Sequence, residues 1–238
     1  MIDLKIELTK LFALHKASIT LDHAVRESAT PNLDWRLFRP SKFIYSYFAF
    51  NSIYSFDWEK SIELYSPMRW GSTEDENHPK EEDQIKAIVK FSCQSLGSQA
   101  PLQFIRILKG QLQNYKITKP IEALRDIRPS NESKRVKGLR NAFPGNFKTL
   151  FQSPDLTQDS LLSSLSGSLS YIQSVRNNVF HGSKTSIQMD DRRQQERLLI
   201  YAALVNSLCE LFFCAIASVL PGWNCVPADF AKELEVAS

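Results

Sequence analysis

The sequence of 238 residues has little glycine and proline, eight and eleven residues, and its apolar and polar residues rarely alternate. The low glycine and proline content excludes a low-complexity chain. The scarcity of alternating runs argues against half-buried β-strands. Apolar residues, in contrast, make up 43% of the chain and recur at helical spacing almost throughout, so we expect an all-α fold.

Cysteine and histidine are also scarce, with four of each, and no Cys-x-x-Cys pair occurs. This pattern argues against a zinc site and against a disulfide framework. The first residues, MIDLKIELTKLF, lack the basic-then-apolar order of a secretory signal peptide, so we expect reduced thiols in a cytoplasmic protein. Because no histidines cluster with paired carboxylates, we expect neither a metal nor another cofactor.

One segment, residues 198–220, carries a single charge and is long enough to cross a bilayer. Asn206 and Glu210 lie four residues apart on one face of it, and a glutamate in the middle of a membrane helix is costly. No second hydrophobic span exists in the sequence, and the aromatic-rich helices elsewhere need an apolar partner. We therefore expect the central helix of a bundle and no association with a membrane.

The apolar spacing predicts a single helical domain over residues 1–238, with about five main helices and some shorter ones. The first helix has an apolar stripe at Leu4, Leu8 and Leu11, and the second begins at Pro40 and buries Phe43, Tyr47, Phe50 and Tyr54. An acidic loop at 66–84 is followed by short helices at 85–96 and 101–112. Two long helices are expected at about 157–180, capped by Thr157 or Asp159, and at 190–220, with a tail helix at 227–236.

The stretch at about 125–156 is predicted to be an irregular basic arm. It is rich in lysine and arginine, and Pro129, Pro144 and Gly145 interrupt its helical spacing. A net charge of +3 for the whole chain is too small to identify a partner, but the distribution is informative. A solvated loop is the simpler interpretation of this arm, whereas its mixture of basic and phenylalanine side chains also suits a track for single-stranded RNA.

The most unusual feature is SYIQSVRNNVFHGSK, residues 170–184, which places Arg176 within an apolar stripe. On an ideal helix Leu165, Leu169 and Ile172 lie within about 40° of Arg176. An unpaired guanidinium there would cost several kcal/mol, so Arg176 must face a carboxylate, a polar cleft or a bound phosphate. The simplest alternative is a structural ion pair, and Glu210 is a candidate partner.

The spacing RNNVFH, together with FAFNSIY in an early helix, resembles the HEPN superfamily, whose motif is an arginine and a histidine separated by four to six residues. The resemblance covers roughly residues 35–65 and 157–220. It implies a compact HEPN-like helical bundle that acts as a homodimer and cleaves RNA without a metal. In that family the ribose 2′-hydroxyl attacks its own phosphate where two motifs meet across the dimer interface.

The resemblance implies roles for individual residues. His181 would be the general acid or base, Arg176 would stabilise the phosphate, and Asn177 would orient the histidine or hold a phosphate oxygen. For His181 the simpler alternative is a cap at the end of its helix. The candidate RNA-binding residues are Asn178 and Lys184, together with Arg135, Lys137 and Arg140 of the basic arm, which the resemblance does not cover. Asn51 and Tyr54 are the candidates for contacting and positioning the catalytic pair, although Asn51 is equally well interpreted as a core amide.

These inferences predict a ribonuclease that serves as a toxin or an antiphage effector, with RNA, a second copy of the chain and an antitoxin as partners. The alternative of a different class is a non-catalytic helical module that binds a nucleotide, RNA or a protein. The two differ in a measurable way, because only the enzyme loses its activity when His181 is removed.

Overall fold

The computed structural model of the chain describes residues 4–28, 39–56, 81–125, 127, 132–180, 191–220 and 223. Every regular element within those residues is a helix, which confirms the all-α prediction. The helices are α1 (Leu4–Ser28), α2 (Arg39–Tyr54), α3 (Glu81–Leu96), α4 (Ala100–Asn114), α5 (Pro120–Ala123), α6 (Lys134–Gln152), α7 (Gln158–Phe180) and α8 (Arg192–Val219), with a single 3₁₀ turn (Gly97–Gln99) between α3 and α4.

Helix α8 is the centre of the bundle. Every residue from Arg197 to Phe213 except Glu210 is buried, and α8 packs mainly against α2, α3 and α4. The helix is long and apolar enough to cross a membrane, but the neighbouring helices cover its apolar surface. This burial agrees with the expected core helix.

Helices α3 and α7 run antiparallel. At one end Gln158 Nε2 donates a hydrogen bond to the Cys93 carbonyl at 2.9 Å, and at the other end Arg176 forms an ion pair with Glu81. Helix α7 begins as one of the two sequence alternatives predicts, because Thr157 Oγ1 accepts a hydrogen bond from the Ser160 amide at 3.2 Å. These contacts place Arg176 at the end of α7 where α3 begins.

The prediction of an irregular arm at about 125–156 is wrong for residues 134–152, which form α6. Ser133 caps this helix, and Pro144 lies inside it. A proline in a helix interior costs about 3 kcal/mol. Fully burying Phe143 and Phe147 contributes roughly 1.5–3 kcal/mol each, which offsets that cost. The packing of α6 against α7 therefore overrides the local signal of the sequence.

The acidic loop predicted at 66–84 also ends earlier than expected. Glu81, Glu82 and Asp83 form the first turn of α3, where carboxylates interact favourably with the positive end of the helix dipole. The earlier part of that loop and the tail helix predicted at 227–236 lie outside the described residues. The first turn of α3 thus places the carboxylate of Glu81 beside the last turn of α7.

The core contains a carboxyl group that is largely but not fully buried. Glu210 on α8 accepts a hydrogen bond from Gln111 on α4, and its Oε1 lies 4.0 Å from Nε2 of the buried His15. Burial raises the pKa of Glu210 to about 7, although the bond from Gln111 opposes this shift. Burial, with the nearby charge of Lys42, lowers the pKa of His15 to about 3, so His15 is neutral near pH 7.

We expect Glu210→Gln to stabilise the protein at pH 8 but not at pH 4.5. The folded pKa of Glu210 lies above its ordinary value of 4.5, so the stability that protonation contributes is complete below about pH 4.5 and is lost as the pH rises through about 7. The gain at pH 8 is at most about 3 kcal/mol, and urea unfolding at both pH values measures it. Glu122→Gln, on an exposed residue, is the control. Equal gains at both pH values would contradict the assignment.

Candidate functional site

Arg176 lies four residues before the end of α7 and points at the beginning of α3. Its Nη2 donates to Oε1 of Glu81, the first residue of α3, and its Cζ lies 4.9 Å from the centre of the Tyr47 ring on α2. The Arg176 side chain remains 23% exposed and that of Glu81 30% exposed. Of the three polar surroundings that the sequence allows for Arg176, the structure shows a carboxylate. The partner is Glu81 and not the expected Glu210, which instead faces Gln111.

Two tyrosines and an asparagine of α2 surround the pair of Arg176 and Glu81. Tyr47 donates to the same Glu81 oxygen at 3.2 Å, and the Tyr54 hydroxyl contacts that oxygen and lies 2.5 Å from Oδ1 of Asn51. The spacing of Tyr47, Asn51 and Tyr54 along α2 places the three side chains on one face of the helix. We refer to Arg176, Glu81, Tyr47, Tyr54 and Asn51 as the arginine cluster.

The contacts within the arginine cluster favour the charged pair. Partial burial of Glu81 by itself would raise its pKa, but hydrogen bonds from Tyr54 and Gln173 and the charge of Arg176 outweigh burial and lower it. Burial raises the pKa of Tyr47, and the charge of Glu81 adds to this effect. At neutral pH the cluster therefore holds one guanidinium, one carboxylate and two protonated phenols.

The structure brings together some of the predicted site residues but not all. Arg176, Asn51 and Tyr54 are connected through Glu81, whereas Asn177 projects into solvent. The side chains of Asn178, His181 and Lys184 lie outside the described residues. The geometry between Arg176 and His181 therefore stays a prediction from the sequence.

The three predicted RNA-binding residues on α6 differ in their surroundings. Arg135 is exposed and pairs with Glu82, the neighbour of Glu81, so it lies beside the arginine cluster. Lys137 is exposed to solvent. Arg140 is only 12% exposed, and it binds Glu132 at 2.7 Å and the Ile127 carbonyl at 3.0 Å. These contacts give Arg140 a role in holding the start of α6 and argue against its binding RNA.

Glu81 and Tyr47 are the site residues that the sequence reasoning missed. Glu81 opens an acidic triplet that directly precedes the apolar pattern starting at Ile85, and this order is typical of the first turn of a helix. Tyr47 belongs to the buried face of α2, but a tyrosine carries a hydroxyl that requires a partner when it is buried. Both signals were present, but neither identifies Arg176 as the partner.

The arginine cluster offers oriented hydrogen-bond donors to an anion. An arginine side chain has five N–H donors in a rigid fork, and Nη2 makes the contact with Glu81. Nε is buried without a hydrogen-bond partner among the described residues. Those residues contain no group of three histidine, cysteine, aspartate or glutamate side chains that could hold a metal ion. The arginine cluster itself presents a fixed guanidinium with carboxylate and phenol neighbours.

No family model, no curated protein and no solved structure matches this chain. The features of this chain that point to a function are the arginine cluster and the spacing between Arg176 and His181.

Proposed function

We propose that this protein is a metal-independent endoribonuclease of the HEPN type, in which Arg176 and His181 act at a homodimer interface. The observation that supports this most is the arginine cluster. It holds a partly exposed guanidinium in a fixed direction at the end of α7, five residues before His181. An arginine that served only to pack within the apolar stripe of α7 would not need a side chain that is accessible to solvent.

In the proposed reaction the ribose 2′-oxygen attacks the adjacent phosphorus and the bond from phosphorus to the 5′-oxygen breaks. His181 takes the proton from the 2′-hydroxyl or gives one to the leaving 5′-oxygen, with the other proton exchanged through the second histidine of the dimer or water. Arg176 donates hydrogen bonds to the phosphate oxygens, which gain negative charge in the transition state. The products are a 2′,3′-cyclic phosphate and a free 5′-hydroxyl.

Glu81 and Tyr47 would act as positioning residues for Arg176. A guanidinium that is already fixed by a carboxylate and an aromatic ring loses little conformational entropy when a phosphate arrives. Because the Arg176–Glu81 pair has no net charge, phosphate recognition there would depend on the direction of the donors more than on long-range attraction. Asn51 and Tyr54 extend this support from α2.

Helix geometry supports the proposed homodimer. On an ideal helix Arg176 and His181 point about 140° apart, so they converge only if the helix ends or loosens before His181 or if a second copy of the chain contributes one of the two side chains. Such a ribonuclease in the cytoplasm would serve as a toxin or an antiphage effector and would be held inactive by an antitoxin.

The first test is the chemistry of cleavage. Purified protein is expected to cut RNA in EDTA as fast as in Mg²⁺, to leave 2′,3′-cyclic phosphate ends, and to spare an oligonucleotide with 2′-deoxyribose at the cut position. Mass spectrometry of the products identifies the ends. Cleavage that stops in EDTA, or that leaves 5′-phosphates, would contradict the mechanism.

The contact between Arg176 and Glu81 also favours a second candidate, a non-catalytic helical module. In that case the ion pair only fastens α7 to α3, and any RNA, nucleotide or protein binds elsewhere on the surface. This candidate predicts no cleavage of any RNA pool and binding that survives the loss of His181.

A further inference from the structure

A cleft separate from the arginine cluster lies between the turn that joins α4 to α5 and the first two turns of α8. Its volume is about 600 Å³, within the range of pockets that bind small molecules. Buried Ala123 and Leu199 contribute to its apolar lining, with the partly buried Ile117 beside them. Neither the arginine cluster nor the motif at 176–181 uses any of these residues.

The walls of the cleft carry a surplus of three positive charges. The basic lining residues are Lys116, Lys119, Arg125, Arg192 and Arg193, and the acidic ones are Glu122 and Glu196.

Both carboxylates already have a cation beside them. Lys119 Nζ lies 3.5 Å from Glu122, and Arg192 Nε lies 3.3 Å from Glu196. Lys116, Arg125 and Arg193 have no ion-pair partner among the described residues. Like charges that converge on one concavity repel each other, and a bound anion would relieve that repulsion.

The backbone at Lys116 adds an independent observation. Helix α4 ends in a Schellman motif, with the Lys116 amide bonded to the Gln113 carbonyl at 2.8 Å and the Ile117 amide to the Leu112 carbonyl at 2.9 Å. Lys116 has a φ of 55°, and among the described residues it is the one non-glycine residue with positive φ. Glycine is the usual residue there because a Cβ is strained in this conformation. Strained backbone of this kind clusters at ligand sites, so we attribute the lysine to a use of its side chain.

The two walls of the cleft are fastened together. Arg197 on α8 is buried, and it donates to the Ala123 carbonyl at 2.8 Å and to the Arg125 carbonyl at 2.7 Å. Tyr115 accepts a hydrogen bond from Asn206 on α8 at 2.9 Å. A cleft whose walls are fixed in this way can bind a ligand without first ordering its backbone.

We propose that this cleft binds a compact small molecule with several adjacent phosphate groups. The surplus charge fits a compact polyphosphate better than a long RNA strand, because a strand is bound largely by base stacking on exposed aromatic rings. The described lining has one aromatic residue, Tyr115, and its ring is buried. The proposal does not depend on ribonuclease activity.

Isothermal titration calorimetry at low salt, without RNA, tests the proposal with tripolyphosphate, ATP and adenosine as probes. Tripolyphosphate and ATP are expected to bind, with an affinity that falls as salt is added, and adenosine is not. A preference for ATP over tripolyphosphate would indicate that the apolar side of the cleft contacts a base, and equal affinities would indicate recognition of the phosphates alone. Either result supports the site.

Two variants and one control make the test specific. Arg193→Glu is expected to weaken tripolyphosphate binding at least tenfold. Lys116→Gly is expected to weaken it several-fold while the Tm stays equal or rises, because glycine suits the positive φ. That combination separates loss of a ligand contact from loss of folding. Lys109→Glu, on an exposed residue of α4 outside the cleft, should leave binding within twofold of the parent protein.

Three results would overturn the proposal. The first is an absence of binding to both phosphate probes. The second is an equal effect of Lys109→Glu and Arg193→Glu, which would indicate general charge attraction. The third is tight binding of a 20-nucleotide RNA through Arg193 and Lys116 that tripolyphosphate does not displace, which would assign the surface to nucleic acid.

Discussion

RNA cleavage is expected to fall by about 10²–10⁴-fold when His181 is replaced by alanine, the range that general acid–base catalysis contributes. The free energy of unfolding should change by less than about 1 kcal/mol, because the alternative role of His181 as a helix cap is worth no more than that. Cleavage of a labelled RNA in EDTA and urea unfolding measure the two quantities. Equal cleavage by the parent and His181→Ala proteins would eliminate His181 as the catalyst.

Arg176 requires a different substitution because it also holds the structure together. Alanine would leave Glu81 without its cation, so lost activity could follow from lost folding. Arg176→Lys keeps the charge but removes the planar fork that lies over the Tyr47 ring and that, in the proposed mechanism, would donate to two phosphate oxygens. We expect it to retain most of the stability and to lose at least about tenfold in cleavage.

Glu81→Gln separates the catalytic and structural interpretations of Arg176. If Arg176 acts on the phosphate, Glu81→Gln loosens its orientation, and cleavage falls together with a change in its pH profile. If Arg176 only fastens α7 to α3, Glu81→Gln and Arg176→Lys lower the Tm but leave binding of any RNA unchanged. Lys90→Gln, on an exposed residue of α3, is the control for substitutions on that helix.

Phe143→Ala is expected to lower the free energy of unfolding by about 3–5 kcal/mol, the largest stability effect that we predict. Phe143 is fully buried, and the centre of its ring lies 5.0 Å from the centre of the Tyr171 ring and 5.3 Å from that of the Tyr201 ring. The substitution would therefore leave a cavity between α6, α7 and α8.

Lys148→Ala on the same helix is the matched control, and it should change stability by no more than about 0.5 kcal/mol because Lys148 is exposed. Urea unfolding compares the two variants with the parent protein. A loss below about 1 kcal/mol for Phe143→Ala would mean that α6 is a detachable arm after all, as its sequence suggests.

The helices were predictable wherever apolar residues keep a period near 3.6. Helices α3, α4, α7 and α8 lie within a few residues of their predicted ranges, because each buries one continuous stripe. Helix α6 was not predictable in this way, since Pro144, Gly145 and many charges hide the spacing of Phe143 and Phe147. Its formation depends on a surface that only the folded α7 and α8 supply.

The candidate site was predictable in part for a similar reason. The position of Arg176 in a stripe shows that a polar partner is required, and that follows from one helix alone. The identity of the partner depends on which helices pack together, and Glu81 lies 95 residues away along the chain. Glu210, in the apolar run of the last long helix, was the natural candidate from the sequence, but it faces α4 and α1 in the bundle.

Two buried cysteines, Cys93 and Cys209, make the opening of the core measurable by chemical modification. Cys93 and Cys209 are almost fully covered, and burial raises the pKa of Cys93 to about 12 and that of Cys209 well above its ordinary value. Since only an accessible thiolate reacts with an alkylating reagent, each sulfur can react only after α3 or α8 has separated from its neighbours. The alkylation rate of Cys93 and Cys209 therefore measures how often the helix bundle opens locally.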